Sequence, residues 1–191
     1  MKAYIDSLPD GLASYPDFVQ KASIYRLWIE NTPAPFVPRE LPPELDDLVR
    51  NPRPVSTWVS VAQTTALVFA LTDARFGGEQ ALLQGFLQFN RKLLQGPLYQ
   101  ALMAVVSPAM ALRGASARWG AFHRGITLDL AVTGHGATVE LRYPPHLVSQ
   151  LFARGYTTTW RATLEAAGAR GIDVELERWS ATGALFRAGW R

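Results

Sequence analysis

The chain of 191 residues contains no cysteine. That absence excludes a disulfide framework, cysteine-ligated zinc, an iron–sulfur cluster and a thiol nucleophile. Histidine is scarce too, with His123, His135 and His146 standing 12 and 11 positions apart, which is not metal-ligand spacing. Long apolar runs are missing. The longest, Ala66-Leu67-Val68-Phe69-Ala70-Leu71, falls far short of the roughly 20 residues that cross a bilayer. Met1-Lys2-Ala3-Tyr4-Ile5-Asp6 meets charge too early for a secretory signal. The expectation is therefore a cytoplasmic protein with no membrane span. Charge is also sparse, at 18% of residues, which leaves room for an apolar interface or pocket.

Concentrated positive charge is absent as well. The pI of 9.4 suggests a nucleic-acid partner, but the formal net charge is only +3. Residues 107–191 carry 10 arginines and 6 acids, the arginines dispersed rather than gathered to track phosphates. Nucleic acid is not expected as a partner. Gly-x-Ser-x-Gly, P-loop and dinucleotide glycine patterns are all missing. Gly114-Ala115-Ser116 reads as a close-packing site within a helix. Asp46-Asp47 reads as a solvated helix face. Asp173, Glu175 and Glu177 alternate on the outer face of a strand, within reach of Arg142 or Arg187 across it. No catalytic residue, metal site or cofactor is assigned, and the protein is not expected to be an enzyme.

What the chain does have is a strong apolar and aromatic supply, 48% and 11% of residues. A chain of this length buries roughly 70% of its unfolded surface and holds a core without staples. The reading is a single domain over 1–191, with a helical part over 1–125 and two hairpins with intervening helices over 126–191. Ser14 before Tyr15-Pro16-Asp17 predicts a helix cap, with helical spacing to about Asn31. Thr32 to Pro43 holds five prolines and reads as an extended connection. A short helix is predicted over Pro43–Arg50. A central buried helix, capped by Ser56, is predicted to run to about Arg75. Amphipathic spacing predicts a helix over Glu79–Gln95, another through Val106 after Gly96-Pro97, and one from Ser107-Pro108 to near Arg124-Gly125.

After Gly125 the period changes from 3.6 to 2. Ile126, Leu128, Leu130 and Val132 alternate with polar or small residues, Gly134-His135-Gly136 turns, and Val139, Leu141 and Tyr143 alternate again. Two helices are then read, from Pro144-Pro145 to about Ala153 and from Thr157 to Ala169. A last hairpin follows, with Ile172, Val174 and Leu176 in phase and Ala184, Phe186, Ala188 and Trp190 inward. Trp179 is out of phase with Leu176, which predicts a bulge or an exposed tryptophan. The fold class is α+β: an N-terminal helical subdomain packed on a four-stranded antiparallel sheet, with β-β-α-α-β-β order at the C-terminus.

Several segments carry a family resemblance: Lys21-Ala22-Ser23-Ile24-Tyr25-Arg26, Arg118-Trp119 through Gly125, Phe152-Ala153-Arg154-Gly155-Tyr156, Ala166-Ala167-Gly168 and the final hairpin ending in Trp190. Together they resemble the haem-nitric-oxide-binding / vinyl-reductase-like superfamily of ligand-binding domains, and most nearly an uncharacterised myxobacterial paralogous family. The resemblance implies a pocket-forming α+β fold. It does not extend to the cofactors. Haem-binding members of that superfamily have a proximal histidine and a Tyr-x-Ser-x-Arg motif that holds the propionates. Here the nearest tyrosine stands in Tyr143-Pro144-Pro145-His146-Leu147. The cysteine-rich cluster of vinyl-reductase-like members has no counterpart.

Met103, Met110, Trp119, Phe122, His123, Leu128, Tyr143, Trp160, Phe186 and Trp190 all belong to the region where helices should meet the sheet. They are the expected walls of a ligand pocket, the usual place for one in such a fold. A filled, dry core made by the same residues is the alternative. His123 reads either as an axial ligand or as a helix-end residue interacting with the dipole. The functional expectation is a non-enzymatic sensory or carrier domain for a small apolar ligand. The alternative is a protein-interaction or homodimerisation module, motivated by low charge, Trp179 and the proline-rich arm.

Overall fold

The computed structural model describes residues 1–32, 38, 40–73, 78–95 and 106–191. The elements are α1 (Lys2–Ser7), a 3-10 turn (Gly11–Ala13), β1 (Val19–Lys21), α2 (Ala22–Asn31), α3 (Pro43–Arg50), β2 (Trp58–Ser60), α4 (Val61–Asp73) and α5 (Glu79–Leu94). They continue with α6 (Pro108–Phe122), β3 (His123–Arg124), β4 (Thr127–Thr133), β5 (Gly136–Arg142), α7 (Gln150–Ala166), β6 (Asp173–Ser180) and β7 (Gly183–Gly189). The architecture is α+β, as expected. It has a four-stranded antiparallel sheet in the order β4-β5-β7-β6 and a second, three-stranded sheet in the order β2-β1-β3. Among the described residues, no helix is long and apolar enough to cross a membrane.

The small sheet was not foreseen, and it displaces two helix starts. Ser14 does not cap a long helix. Its hydroxyl accepts the Asp10 N–H at 2.9 Å, and Tyr15 takes a left-handed φ of 56°. The chain then extends, because Val19–Lys21 find partners on both sides: Gln20 pairs with Val59 of β2 and with His123 of β3. Likewise Ser56 is not a cap. Residues 58–60 form β2, and the Ser60 hydroxyl accepts the Gln63 N–H at the start of α4. Three-residue strands carry too short a pattern to outvote helical spacing, so only tertiary pairing reveals them.

α4 is the central helix. From Val61 to Thr72 every residue except Gln63 is buried. Thr64 and Thr72 are tolerated there because their hydroxyls donate back to the Ser60 and Val68 carbonyls. Phe69 packs between the rings of Tyr4 and Phe152, at 5.4 and 5.6 Å. The expected end of this helix near Arg75, and the helix expected up to Val106 except that last residue, fall on residues outside the described set. α6 begins as read from the sequence, with the Ser107 hydroxyl accepting the Met110 N–H and Pro108 in the first turn. It stops at Phe122, and His123-Arg124 belong to β3.

Between the hairpins the sequence reading named two helices, and the structure has one. Pro144 to Val148 is irregular, and Ser149 caps α7 through the Phe152 N–H at 3.2 Å. Gly155, read as a break, lies inside α7, where a Cβ would meet the Phe86 ring at 3.4 Å. The glycine permits close approach of α5 and α7 rather than ending a helix. The two helices are further tied by Arg91 to Glu165 at 2.6 Å, by Asn90 to Thr158 and by an Arg154–Glu79 ion pair. α7 ends where Gly168 adopts φ 79°, with N–H groups of Gly168 and Ala169 closing on Glu165 and Leu164.

The large sheet turns Val139, Leu141, Tyr143, Ala184, Phe186, Ala188 and Trp190 inward, as the alternation predicts. α6 covers β4, and α7 covers β6. The bulge lies between Leu176 and Arg178, and it brings Trp179 back toward the core. Trp179 is half-buried and donates its indole N–H to the Val148 carbonyl at 3.0 Å, so it is not the exposed tryptophan allowed for. On the outer face Arg187 pairs with Glu177 at 3.0 Å, while Arg142 pairs with Glu140 on its own strand and with Asp129 on β4.

Candidate functional site

The seam between α6, α7 and the inner face of the large sheet is lined by a chain of rings. Trp119 and His123 stand four residues apart, spanning the end of α6, and stack at 4.0 Å with an interplanar angle of 17°. Trp119 lies 6.3 Å from Tyr156 on α7, and Tyr156 lies 6.4 Å from Phe186 on β7. Phe186, fully buried, meets Trp160 at 6.5 Å. Tyr156 and Trp160 are again four residues apart, so one face of α7 presents both. These tilted and edge-on arrangements are the ones aromatic quadrupoles favour.

Two polar atoms in this seam have no hydrogen-bond partner among the described residues: Nδ1 of His123 and Nε1 of Trp160. The residues are only 8% and 4% exposed. A buried nitrogen without a hydrogen bond costs on the order of 1–3 kcal/mol, so such atoms are uncommon and mark a place that wants a partner. Trp119, by contrast, is satisfied, its indole N–H bonding the Ile126 carbonyl at 2.8 Å. Burial alone pulls the His123 pKa down to about 4. His123 is the C-cap residue of α6, as its position suggested, but its ring is turned inward on the same face as Gln20 and Val59. It is a neutral imidazole near pH 7, not a cation on the helix dipole. Burial likewise pushes the Tyr156 phenol up to about 12, keeping it protonated.

Of the residues expected as pocket walls, Trp119, His123, Trp160 and Phe186 are joined by this chain. Leu128 faces Leu141 across β4–β5, Tyr143 is buried with its hydroxyl on the Ser180 carbonyl, and Trp190 is buried just beyond β7. Met110 and Phe122 lie on the surface, 55% and 38% exposed, because the outer side of α6 carries them. Met103 falls outside the described residues. Tyr156, which joins the ring chain, was not among them, although its spacing from Phe152 and Trp160 is the signal that could have found it. Among the described residues no group of three His, Asp or Glu side chains could hold a metal ion.

No family model matches this chain, and no curated protein matches it. Solved structures do. An Fe(II) unliganded H-NOX protein from K. algicida aligns with a TM-score of 0.53 and 14% identity, covering 90% of this chain and 96% of that one. An oxygen-binding H-NOX domain related to soluble guanylate cyclases, solved as its oxygen complex, aligns at 0.56 and 8%, covering 90% and 95%. A structure from work on haem distortion in the H-NOX family aligns at 0.53 and 10%, with the same coverage.

The described residues do not fit a haem. His123 lies flat against Trp119 with Nδ1 enclosed, and His135 and His146 are exposed. The Tyr143 hydroxyl is committed to Ser180, and Pro144 and Pro145 offer no N–H. The arginines that could replace a propionate clamp are turned elsewhere: Arg142 to acids on the sheet's outer face, Arg124 onto Trp58, and Arg118 to solvent. At these identities the likeness speaks for the fold, and the fold of this chain is that of the H-NOX domains.

Proposed function

We propose that this chain is a non-enzymatic sensory or carrier domain, acting as one unit over residues 1–191 in the cytoplasm, that binds a small, largely apolar ligand. The site is the aromatic seam between α6, α7 and the large sheet. The observation that carries this reading is the pair of buried nitrogens, at the two ends of the ring chain, without partners among the described residues. The Trp160 N–H can only donate, and the neutral His123 ring can donate or accept. The ligand is therefore an organic molecule whose body packs on rings and whose one or two polar atoms include an acceptor for Trp160. The fold supports the reading, since an H-NOX domain of similar structure has been solved as an oxygen complex. The interaction-module alternative has lost its exposed Trp179.

Native mass spectrometry of the protein purified from its own host tests the proposal. The expected result is a mass above that of the bare polypeptide, lost in Trp160→Phe, which keeps a ring and removes the N–H. A bare mass for wild type, with ordered waters on both nitrogens in a crystal structure, would refute it.

A further inference from the structure

Away from the aromatic seam, the two edges of the large sheet are built differently. β6 has the marks of a guarded edge. Asp173, Glu175, Glu177 and Arg178 spread charge along it, and the bulge between Leu176 and Arg178 breaks its line. β4 reads Thr127-Leu128-Asp129-Leu130-Ala131-Val132-Thr133 and has neither device. It pairs with β5 along its whole length without a register shift, and it holds no proline or lysine. Asp129 is its one charged residue, and Arg142 answers that charge at 3.5 Å. A long, flat, weakly charged edge is a template for a further strand.

The outer side of β4 is open among the described residues. Gly134 and His135 form a two-residue turn that closes on Thr133 and Gly136, so Thr127, Asp129, Ala131 and Thr133 bond to β5. Leu128, Leu130 and Val132 therefore aim their N–H and C=O groups away from the sheet, and no described residue takes them up. Their side chains pack against the core but are only half-buried. The alternate residues, Thr127, Asp129, Ala131 and Thr133, are exposed on the other face.

We infer that β4 pairs antiparallel with β4 of a second copy of this chain, joining two large sheets into one across a two-fold axis at Leu130. The strand itself selects a second copy. Laid against its own reverse about Leu130, it sets Thr127 opposite Thr133, Leu128 opposite Val132 and Asp129 opposite Ala131. Apolar side chains meet apolar ones, threonine meets threonine, and no like charges stand opposite. The pairs made by Leu128, Leu130 and Val132 exchange two backbone bonds each, about six in all. A slip of one residue sends the leucines to the wrong face, and a slip of two in one direction sets Asp129 on Asp129. One patch serves both partners, so the contact closes at a dimer, and the guarded β6 edge offers no route to a longer stack.

Sedimentation equilibrium from about 1 to 100 μM should show the dimer. Ala131 is exposed, so its variants keep the fold, as circular dichroism will check. Ala131→Asp places a carboxylate opposite Asp129 on both sides of the axis and should weaken dimerisation roughly tenfold, whereas Ala131→Lys makes two opposite-charge pairs and should strengthen it by a similar factor. Single cysteines locate the axis in this cysteine-free chain. Leu130→Cys meets its own copy at a Cα separation of about 5.5 Å, within disulfide reach, and should cross-link under oxidised glutathione. Thr127→Cys lies about 20 Å along the strand from its own copy and should not. A monomer throughout the concentration range overturns the inference. So does a dimer that Ala131→Asp and Ala131→Lys leave equally strong, or one that Thr127→Cys cross-links as readily as Leu130→Cys.

Discussion

His123 shows how much one buried side chain can decide. Its pKa is drawn from the ordinary 6.5 of histidine to about 4 because the ring is cut off from water. The unfolded chain therefore binds a proton that the folded chain refuses between those two values. In that window stability rises with pH and is lost as pH falls. The loss begins near pH 6.5 and is complete below about pH 4, and its size is about 3 kcal/mol at 1.36 kcal/mol per unit. No charged group shares its face of the small sheet, where Gln20 and Val59 are its neighbours. Denaturant midpoints measured from pH 7 to pH 4 should therefore fall steeply in wild type and much less in His123→Phe. Parallel curves for the two proteins would show that the ring is solvated. The residue's place in the sequence gave no hint of this, since a histidine at a helix end more often faces water and holds its charge.

Among the elements, α4 carries the clearest energetic expectation. It is buried on nearly every side, and Phe69 joins α1 to α7 through its contacts with Tyr4 and Phe152. Phe69→Ala should cost roughly 3–5 kcal/mol, because rings held by three helices cannot collapse into the space left behind. A shift below about 1 kcal/mol in the midpoint analysis would contradict that packing. The β3–β4 corner depends on a smaller feature. Gly125 turns there with φ 85°, and any side chain would drive a Cβ to 2.6 Å from the Phe18 ring. That glycine lets the chain pass from the small sheet to the large one directly beneath the N-terminal segment. The sequence reading saw Gly125 as the end of a helix and could not see what lay over it.

For the molecule as a whole, the fold and the fittings point in different directions. The chain has the architecture of H-NOX domains. Yet His123 is stacked flat on Trp119, and Arg142 and Arg124 are turned to acids and to the Trp58 ring, away from any propionate clamp. Protein expressed with added haem precursor should therefore show no Soret band after purification. A band that disappears in His123→Ala, but persists in His135→Ala and His146→Ala, would make His123 an iron ligand and reverse this conclusion.

The sequence alone determined the α+β class, the two long hairpins and their inward residues, the buried central helix, and the start of α6 at Ser107-Pro108. Each of these rests on a pattern that repeats several times within one segment, so local chemistry and global packing agree. The bulge before Trp179 was legible for the same reason, as a break in a repeat. Tertiary structure decided the rest. β1, β2 and β3 exist only because they pair with one another across the chain. Gly155 became a helix–helix contact because Phe86 lies against it. Met110 and Phe122 were turned to the surface, while Tyr156 was brought into the ring chain. The two buried nitrogens without a partner among the described residues lie further still from the sequence. They depend on how side chains from separate elements face one another, and no spacing within a single segment encodes that.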